Sequence, residues 1–401
     1  MSTVTISETE RILLKYLGES IKPSRSESEA FDLNPNTVER IYPLADRHEV
    51  SVLLGNILNL KSLSPKIQND LEFKTARTVH KGINLQSLAL RLTALLETEG
   101  ITAVNLKGYA VSRLYPVPEF RKTTDVDLFF SCEDDARKAG KILLENGFKY
   151  SEKWHANHHF ILISDKNEKV ELHTAWADEL KDKRLNQYIK CIQKESMAHC
   201  APINLKGARL YIYDTAYQAF YLSVHMFQHF VGCGFGLRNL CDWVVLWENC
   251  DNEKARRDFV KMAYDSGLAK FSKAVTSVCT EYLGLSLKKS PFKPDTLSDK
   301  NLTDEFLRDI LDAGEFGCSE PQRMVGMEGN SPMSYVKEFH HQMHINFPKV
   351  GRTAILWPFL WIATLIRFLN NNRKLNRAPV SMIMKKAGSR GKLVKQLMEN
   401  K

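Results

Sequence analysis

Residues 105–130 read NLKGYAVSRLYPVPEFRKTTDVDLFF, and place two aspartates, Asp125 and Asp127, one residue apart at the head of an apolar run. Upstream, RIYPLADRHEVSVLLGNIL (40–58) and INLQSLALRLTALLETEG (83–100) carry apolar residues at three and four spacing, the mark of helices, with Gly100 as a C-cap. After Gly100 the period changes. ITAVNL (101–106) predicts a short buried strand, GYAVSRLY (108–115) a helix, and DVDLFF (125–130) a second strand. EDDARKAGKILLENG (133–147) then predicts an amphipathic helix, acidic in its first turn and closed by Gly147. HHFILIS (158–164) and EKVELHTAW (168–176) follow as strands joined by a polar turn. From about Tyr213 the pattern is helical again.

Alternate strand residues point to one side, so Asp125 and Asp127 project together while Val126 and Leu128 point away. Adjacent carboxylates repel unless a cation lies between them, and Mg²⁺ commonly uses one or two carboxylates together with substrate phosphate oxygens. In EKVELHTAW, Glu171 and His173 also share a face. If that strand lies beside the aspartate strand, Glu171 becomes a third carboxylate, and three can hold two metal ions. Lys107 and Gly108 fall at a strand-to-helix junction, where free N–H groups and a missing side chain favour a phosphate. Arg121 either clamps phosphate or pairs with Glu119 or Asp125. His173 orients Glu171, lines the acceptor side, or packs as a strand histidine.

YLSVHMFQHFVGCGFGLRNLCDWVVLW (221–247) sets His225 and His229 on one helix face and pairs Arg238 with Asp242 at the same spacing. His225, His229 and Cys233 have zinc-ligand chemistry but show no fourth ligand. Arg238 with Asp242 is most simply an ion pair.

LKG, then LYP, then Arg121, then DVDL and later VELH together resemble the uncharacterised nucleotidyltransferase family of the polymerase β superfamily, encountered among bacterial biosynthetic gene clusters. The likeness runs from PLADRHEVSVLLGNIL to LRNLCDWVVLW, about half of the chain. It implies Asp125 and Asp127 as the metal-binding pair, Glu171 as the third carboxylate, and Lys107 with Gly108 as the phosphate turn. It also implies a helical segment over the sheet that offers His225, His229 or Arg238 to nucleotide or acceptor. One position departs from the superfamily: Tyr109 follows Gly108 where a small residue is usual.

The 401 residues, 43% hydrophobic and 26% charged with 20 Gly and 14 Pro, describe a globular chain of two or three subdomains. Eight cysteines without CxxC spacing, and an N-terminus lacking a basic-then-apolar segment, predict a reduced cytoplasmic protein. The net charge of +9 is mostly a tail, since residues 373–401 alone carry +8. That distribution argues against an extended nucleic-acid face. AILWPFLWIATLIRFL (354–369) is too short to span a bilayer, and with the tail (354–401) it suits either packing or a peripheral membrane contact. The expected fold is α+β: helices over 1–99, a small mixed-sheet nucleotidyltransferase core over 100–205, helices packing on it over 206–330, and the apolar helix with basic tail over 331–401. The expected chemistry is transfer of a nucleoside monophosphate from NTP, ATP foremost, to a hydroxyl or phosphate of a small-molecule or peptide acceptor, with Mg²⁺ (two ions) or Mn²⁺. The alternatives are a non-catalytic nucleotide-binding scaffold, which Tyr109 favours, and a membrane-surface adaptor.

Overall fold

A seven-stranded mixed sheet, in the order β3-β4-β5-β2-β1-β7-β6, organises the chain. The structure, a computed structural model, describes residues 5–23, 34–151, 159–180, 182–205, 207–315, 332–347, 350–375 and 380–398. Cys318 and parts of the basic tail (376–379, 399–401) lie outside them. The strands are β1 (Val104–Asn105), β2 (Val126–Phe129), β3 (Lys149–Tyr150), β4 (His159–Ile163), β5 (Lys169–His173), β6 (Cys200–Leu205) and β7 (Ala208–Tyr213). Helices α1 (Glu8–Ser20), α2 (Pro35–Arg47), α3 (Ser51–Leu54) and α4 (Pro65–Thr98) precede the sheet. Within it lie α5 (Tyr109–Ser112), α6 (Glu133–Glu145) and α7 (Lys183–Glu195). After it come α8 (Thr215–Val231), α9 (Leu237–Glu248), α10 (Glu253–Ser266), α11 (Ala269–Tyr282), α12 (Lys300–Ala313), α13 (Pro332–Asn346), α14 (Trp357–Leu375) and α15 (Val380–Met398). The fold is α+β, as expected.

Strand alternation divides the apolar side chains between two cores. Val126, Leu128, Val170 and Leu172 pack with Leu88 and Leu92 of α4 and with Ala139 and Leu143 of α6. The opposite face gives Phe129 and Tyr213 to a larger core with Trp176 and the aromatic side chains of α8. α8 shows twelve buried residues in seventeen, so it sits inside the protein on most of its sides.

Two sequence expectations change. The sheet runs past residue 205 through the β6–β7 hairpin, whose β7 pairs in parallel with β1, so the strand-bearing region ends at Tyr213. RIYPLADRHEVSVLLGNIL is not one helix: α2 stops at Arg47 and Glu49 takes a positive φ of 54° before α3 begins.

The break buries His48 completely. Burial, reinforced by the Arg47 charge, pushes its imidazole down to about 4. As pH falls through 6.5 the unfolded chain binds a proton that the folded chain refuses until about pH 4, so stability falls across that window by up to about 3 kcal/mol. Urea midpoints measured from pH 8 to 4 should decline below pH 6.5. His48→Leu should flatten part of that decline.

Candidate active site

β1 gives way at Asn105 to a turn that Leu106 fixes beside the aspartate strand. The Leu106 N–H donates to the Asp127 carbonyl (3.1 Å), and the Leu106 carbonyl accepts from Gln218 Nε2 of α8 (2.8 Å). Gly108 then adopts φ 57°, ψ −120°, a conformation closed to L side chains, and a Cβ there would meet Thr123 Cγ2 at 3.5 Å. The expected helix after Gly108 is a single turn, so any anion-favouring field comes from a few peptide groups and not from a long dipole.

β2 and β5 run parallel in the register Val126↔Val170, Asp127↔Glu171, Leu128↔Leu172 and Phe129↔His173. That register sets Glu171 directly beside Asp127 on one face, and alternation brings Lys169 and His173 to the same face. Asp125 lies one position before β2, at the rim. Asp127 is 4% exposed and Glu171 9%. Ligand-type atoms of Asp127, Glu171 and His173 lie within 4.8 Å of one another.

Cations and one imidazole already neutralise these carboxylates. Lys107 Nζ stands 3.1 Å from Asp127 Oδ1, and His173 Nε2 stands 3.0 Å from the same oxygen and 3.2 Å from Glu171 Oε2. Lys169 bridges Glu171 and Asp125, 3.3 Å from Asp125 Oδ2, and Thr124 Oγ1 donates to Asp125 Oδ1 at 3.0 Å. Burial pushes the Asp127 carboxyl up, but the Lys107 charge and the His173 hydrogen bond outweigh it and hold the group below its usual value. Glu171 is likewise held down against burial by His173, Lys107 and Lys169. Asp125 goes the other way, raised by burial and by the Asp127 charge. For His173, burial lowers the imidazole pKa but Asp127 and Glu171 raise it further. Hard carboxylate oxygens with one imidazole suit a divalent cation such as Mg²⁺ or Mn²⁺.

The arginines differ from expectation. Arg121 is committed to Asp242 in a two-pronged pair, Nε to Oδ1 at 2.6 Å and Nη2 to Oδ2 at 2.7 Å, with Tyr115 also donating to Oδ1. Asp242 therefore belongs to Arg121 and not to Arg238. Arg238 turns to Glu315 Oε1 (2.5 Å) and to the Lys122 carbonyl (2.7 Å). The physical reason is reach across the fold: the pair i, i+4 on α9 is outcompeted by a buried guanidinium arriving from the loop before β2.

His225 and His229 do share a face of α8, with their Nε2 atoms 3.2 Å apart, and His225 Nε2 lies 3.4 Å from Lys107 Nζ. Burial and the Lys107 charge lower both imidazoles, His229 to about 4. Cys233 does not join them in a ligand cluster, since the three-residue group found among the described residues is Asp127, Glu171 and His173. The zinc arrangement is thus replaced by a histidine pair behind Lys107.

Sequence reading missed Lys169, although its place two residues before Glu171 puts it on the same strand face. It also missed α4. Gly82, Leu85 and Gln86 of that helix form one wall of a cleft whose other wall is Lys107, Gly108, Arg121, Thr123, Asp125 and Asp127. Lys81, beside that wall, has no ion-pair partner among the described residues; partial burial and the nearby Lys122, Arg77 and Lys169 charges lower its pKa, with Asp125 opposing.

None of the seven described cysteines is bridged. Among the described residues, no helix is long and apolar enough to cross a membrane. No protein of curated function matches the chain. A family model described as uncharacterised nucleotidyltransferase matches residues 34–284, from the start of α2 through α11, and so takes in the whole sheet, both cleft walls and the α8 histidines. With more than half of its length matched, the chain belongs to the uncharacterised nucleotidyltransferase family.

Proposed function

We infer that this cleft transfers a nucleoside monophosphate from an NTP, ATP foremost, to a hydroxyl group of a small-molecule or peptide acceptor, and releases pyrophosphate. The reading rests above all on the parallel register Asp127↔Glu171, which gathers carboxylates from two strands beside Lys107 and Gly108. Asp127 and Glu171, with Asp125 at the rim and His173 beside them, would hold Mg²⁺ or Mn²⁺, and such an ion supplies neutralisation of phosphate charge and a more acidic acceptor hydroxyl. Lys107 and Lys169 carry ammonium groups to the phosphate side. Gly108 lets polyphosphate approach the backbone without a side chain in the way. His173 keeps Asp127 and Glu171 aligned, and His225 fixes Lys107 from behind. Arg121 and Arg238 support the cleft through Asp242 and Glu315. The layout of a strand pair, a glycine turn and three carboxylates supports a polymerase β type of mechanism as part of this reading.

Lys81 adds an unpaired cation from α4 near Asp125. Lys81→Met should raise the KM for NTP about tenfold, near 1.4 kcal/mol of binding, with kcat changed less than about threefold. Steady-state pyrophosphate release measures both. An unchanged KM would remove α4 from the nucleotide site.

One observation favours a second reading, a nucleotide-binding scaffold without turnover. Lys107, Lys169 and His173 already balance the three carboxylates. Nucleotide binding that is indifferent to Mg²⁺, with no pyrophosphate released in the presence of cell extract, would select it.

A further inference from the structure

The described residues expose fourteen large apolar side chains, and eight of them fall between Met333 and Ile366. Such clustering is unlike the scattered exposed apolar residues of an ordinary surface. Ile355 is 81% exposed, Phe359 71% and Ile362 58%, with Leu365 and Ile366 also exposed. At 100° per residue, Phe359, Ile362, Leu365 and Ile366 occupy one side of α14. Trp357, Trp361 and Thr364 lie on the opposite side. Trp357 Nε1 donates to the Gly351 carbonyl (2.7 Å), Trp361 Nε1 reaches His340 Nδ1 on α13 (3.3 Å), and Thr364 is buried. α14 is therefore docked through its tryptophans, and its aliphatic side is left outward.

Charge selects the occupant. Residues 332–401 contain thirteen Lys and Arg against two acids, a net +11, which leaves residues 1–331 at −2 within the chain's +9. A second copy would bring the same thirteen cations to the contact, so self-association through this face is opposed. A nucleic acid would use the cations but has no need of an aliphatic side. An anionic lipid leaflet uses both: aliphatic side chains enter the acyl boundary and flanking Lys and Arg meet the headgroups, each worth about 1 kcal/mol near the surface. On such a leaflet α14 would lie flat, since among the described residues no helix is long and apolar enough to span a bilayer.

We propose that the outer side of α14, from Phe359 to Ile366, together with Ile355 in the turn before it, is a peripheral docking surface for anionic phospholipid bilayers. The test is co-sedimentation of the full chain with phosphatidylcholine vesicles, with and without phosphatidylglycerol, alongside the variant Phe359→Ser/Ile362→Ser. Both side chains are more than half exposed, so the variant should keep the parent's circular dichroism and melting temperature. Expected are binding to the phosphatidylglycerol vesicles, weakening with added salt, and a loss of about tenfold in the variant. Three results would overturn the proposal: a parent that stays in solution with both vesicle types, a folded variant that sediments as the parent does, or a parent that self-associates without binding vesicles while the variant is monomeric. Because sedimentation needs no turnover, its failure is separable from failure of the transferase reading.

Discussion

Asp127→Asn is expected to lower NTP-dependent transfer by about 10³-fold, a barrier increase of roughly 4 kcal/mol. The side chain is almost fully buried and stands among Glu171, His173 and Lys107, so its charge acts at short range in a poorly solvated site. Asparagine keeps the shape and a hydrogen-bonding oxygen for His173 but removes the negative charge. It also takes from Lys107 its nearest carboxylate, leaving Asp125 and Glu171 to face it, which should destabilise the fold by about 3 kcal/mol. The two effects separate by temperature: transfer should be lost far below the variant's melting point. Lys107→Met in the same background should restore part of the stability and none of the transfer. Pyrophosphate release and a melting curve on the same samples check both statements. Full transfer by the folded Asp127→Asn protein would make the carboxylate structural.

Arg121→Met carries the second large effect, a destabilisation of about 3–5 kcal/mol. It strands the Asp242 carboxylate, 2% exposed, with the Tyr115 hydroxyl as its one remaining hydrogen-bond partner among the described residues. Removing both charges together, as Arg121→Met/Asp242→Leu, should recover much of the loss, because the cost lies in an uncompensated buried charge and not in the missing bond itself. Urea unfolding of the single and double variants measures the difference. The same pair distinguishes a structural from a phosphate-binding arginine. In the double variant the KM for NTP should stay within about threefold of the parent, since a guanidinium held through Nε and Nη2 offers phosphate little. A tenfold rise in KM with stability restored would return Arg121 to the nucleotide.

The sequence made the local part of this site legible. DVDL and VELH each state which residues share a strand face, since alternation depends on nothing beyond the strand itself. Gly100 and Gly147 end their helices with positive φ, as their positions suggested. What alternation leaves open is which strands are neighbours and in what register. Asp127 beside Glu171 needs a parallel pairing across forty-four residues, and only the resemblance pointed to it in advance.

Long-range partners were the least readable. Asp242 has an arginine four residues before it, a reasonable local partner, yet it pairs with Arg121 from across the fold. Glu315, which holds Arg238, lies seventy-seven residues further along and shows no motif. The β6–β7 hairpin fell across the expected boundary at residue 205. Its strand β6 has no buried residue, and Pro202 and the polar Asn204 weaken the apolar alternation that identifies a strand. Lys169 was overlooked for a different reason. A lysine at a strand start usually reads as solvated, and only the folded neighbours show it between Asp125 and Glu171.

Calorimetric titration of ATP, with and without Mg²⁺, into the parent and into Asp125→Asn/Asp127→Asn tests the carboxylate site most directly. Metal-dependent binding by the parent that disappears in a folded variant is expected. Identical titrations for parent and variant, or no heat from either while both remain folded, would contradict a metal-assisted nucleotide site at these residues.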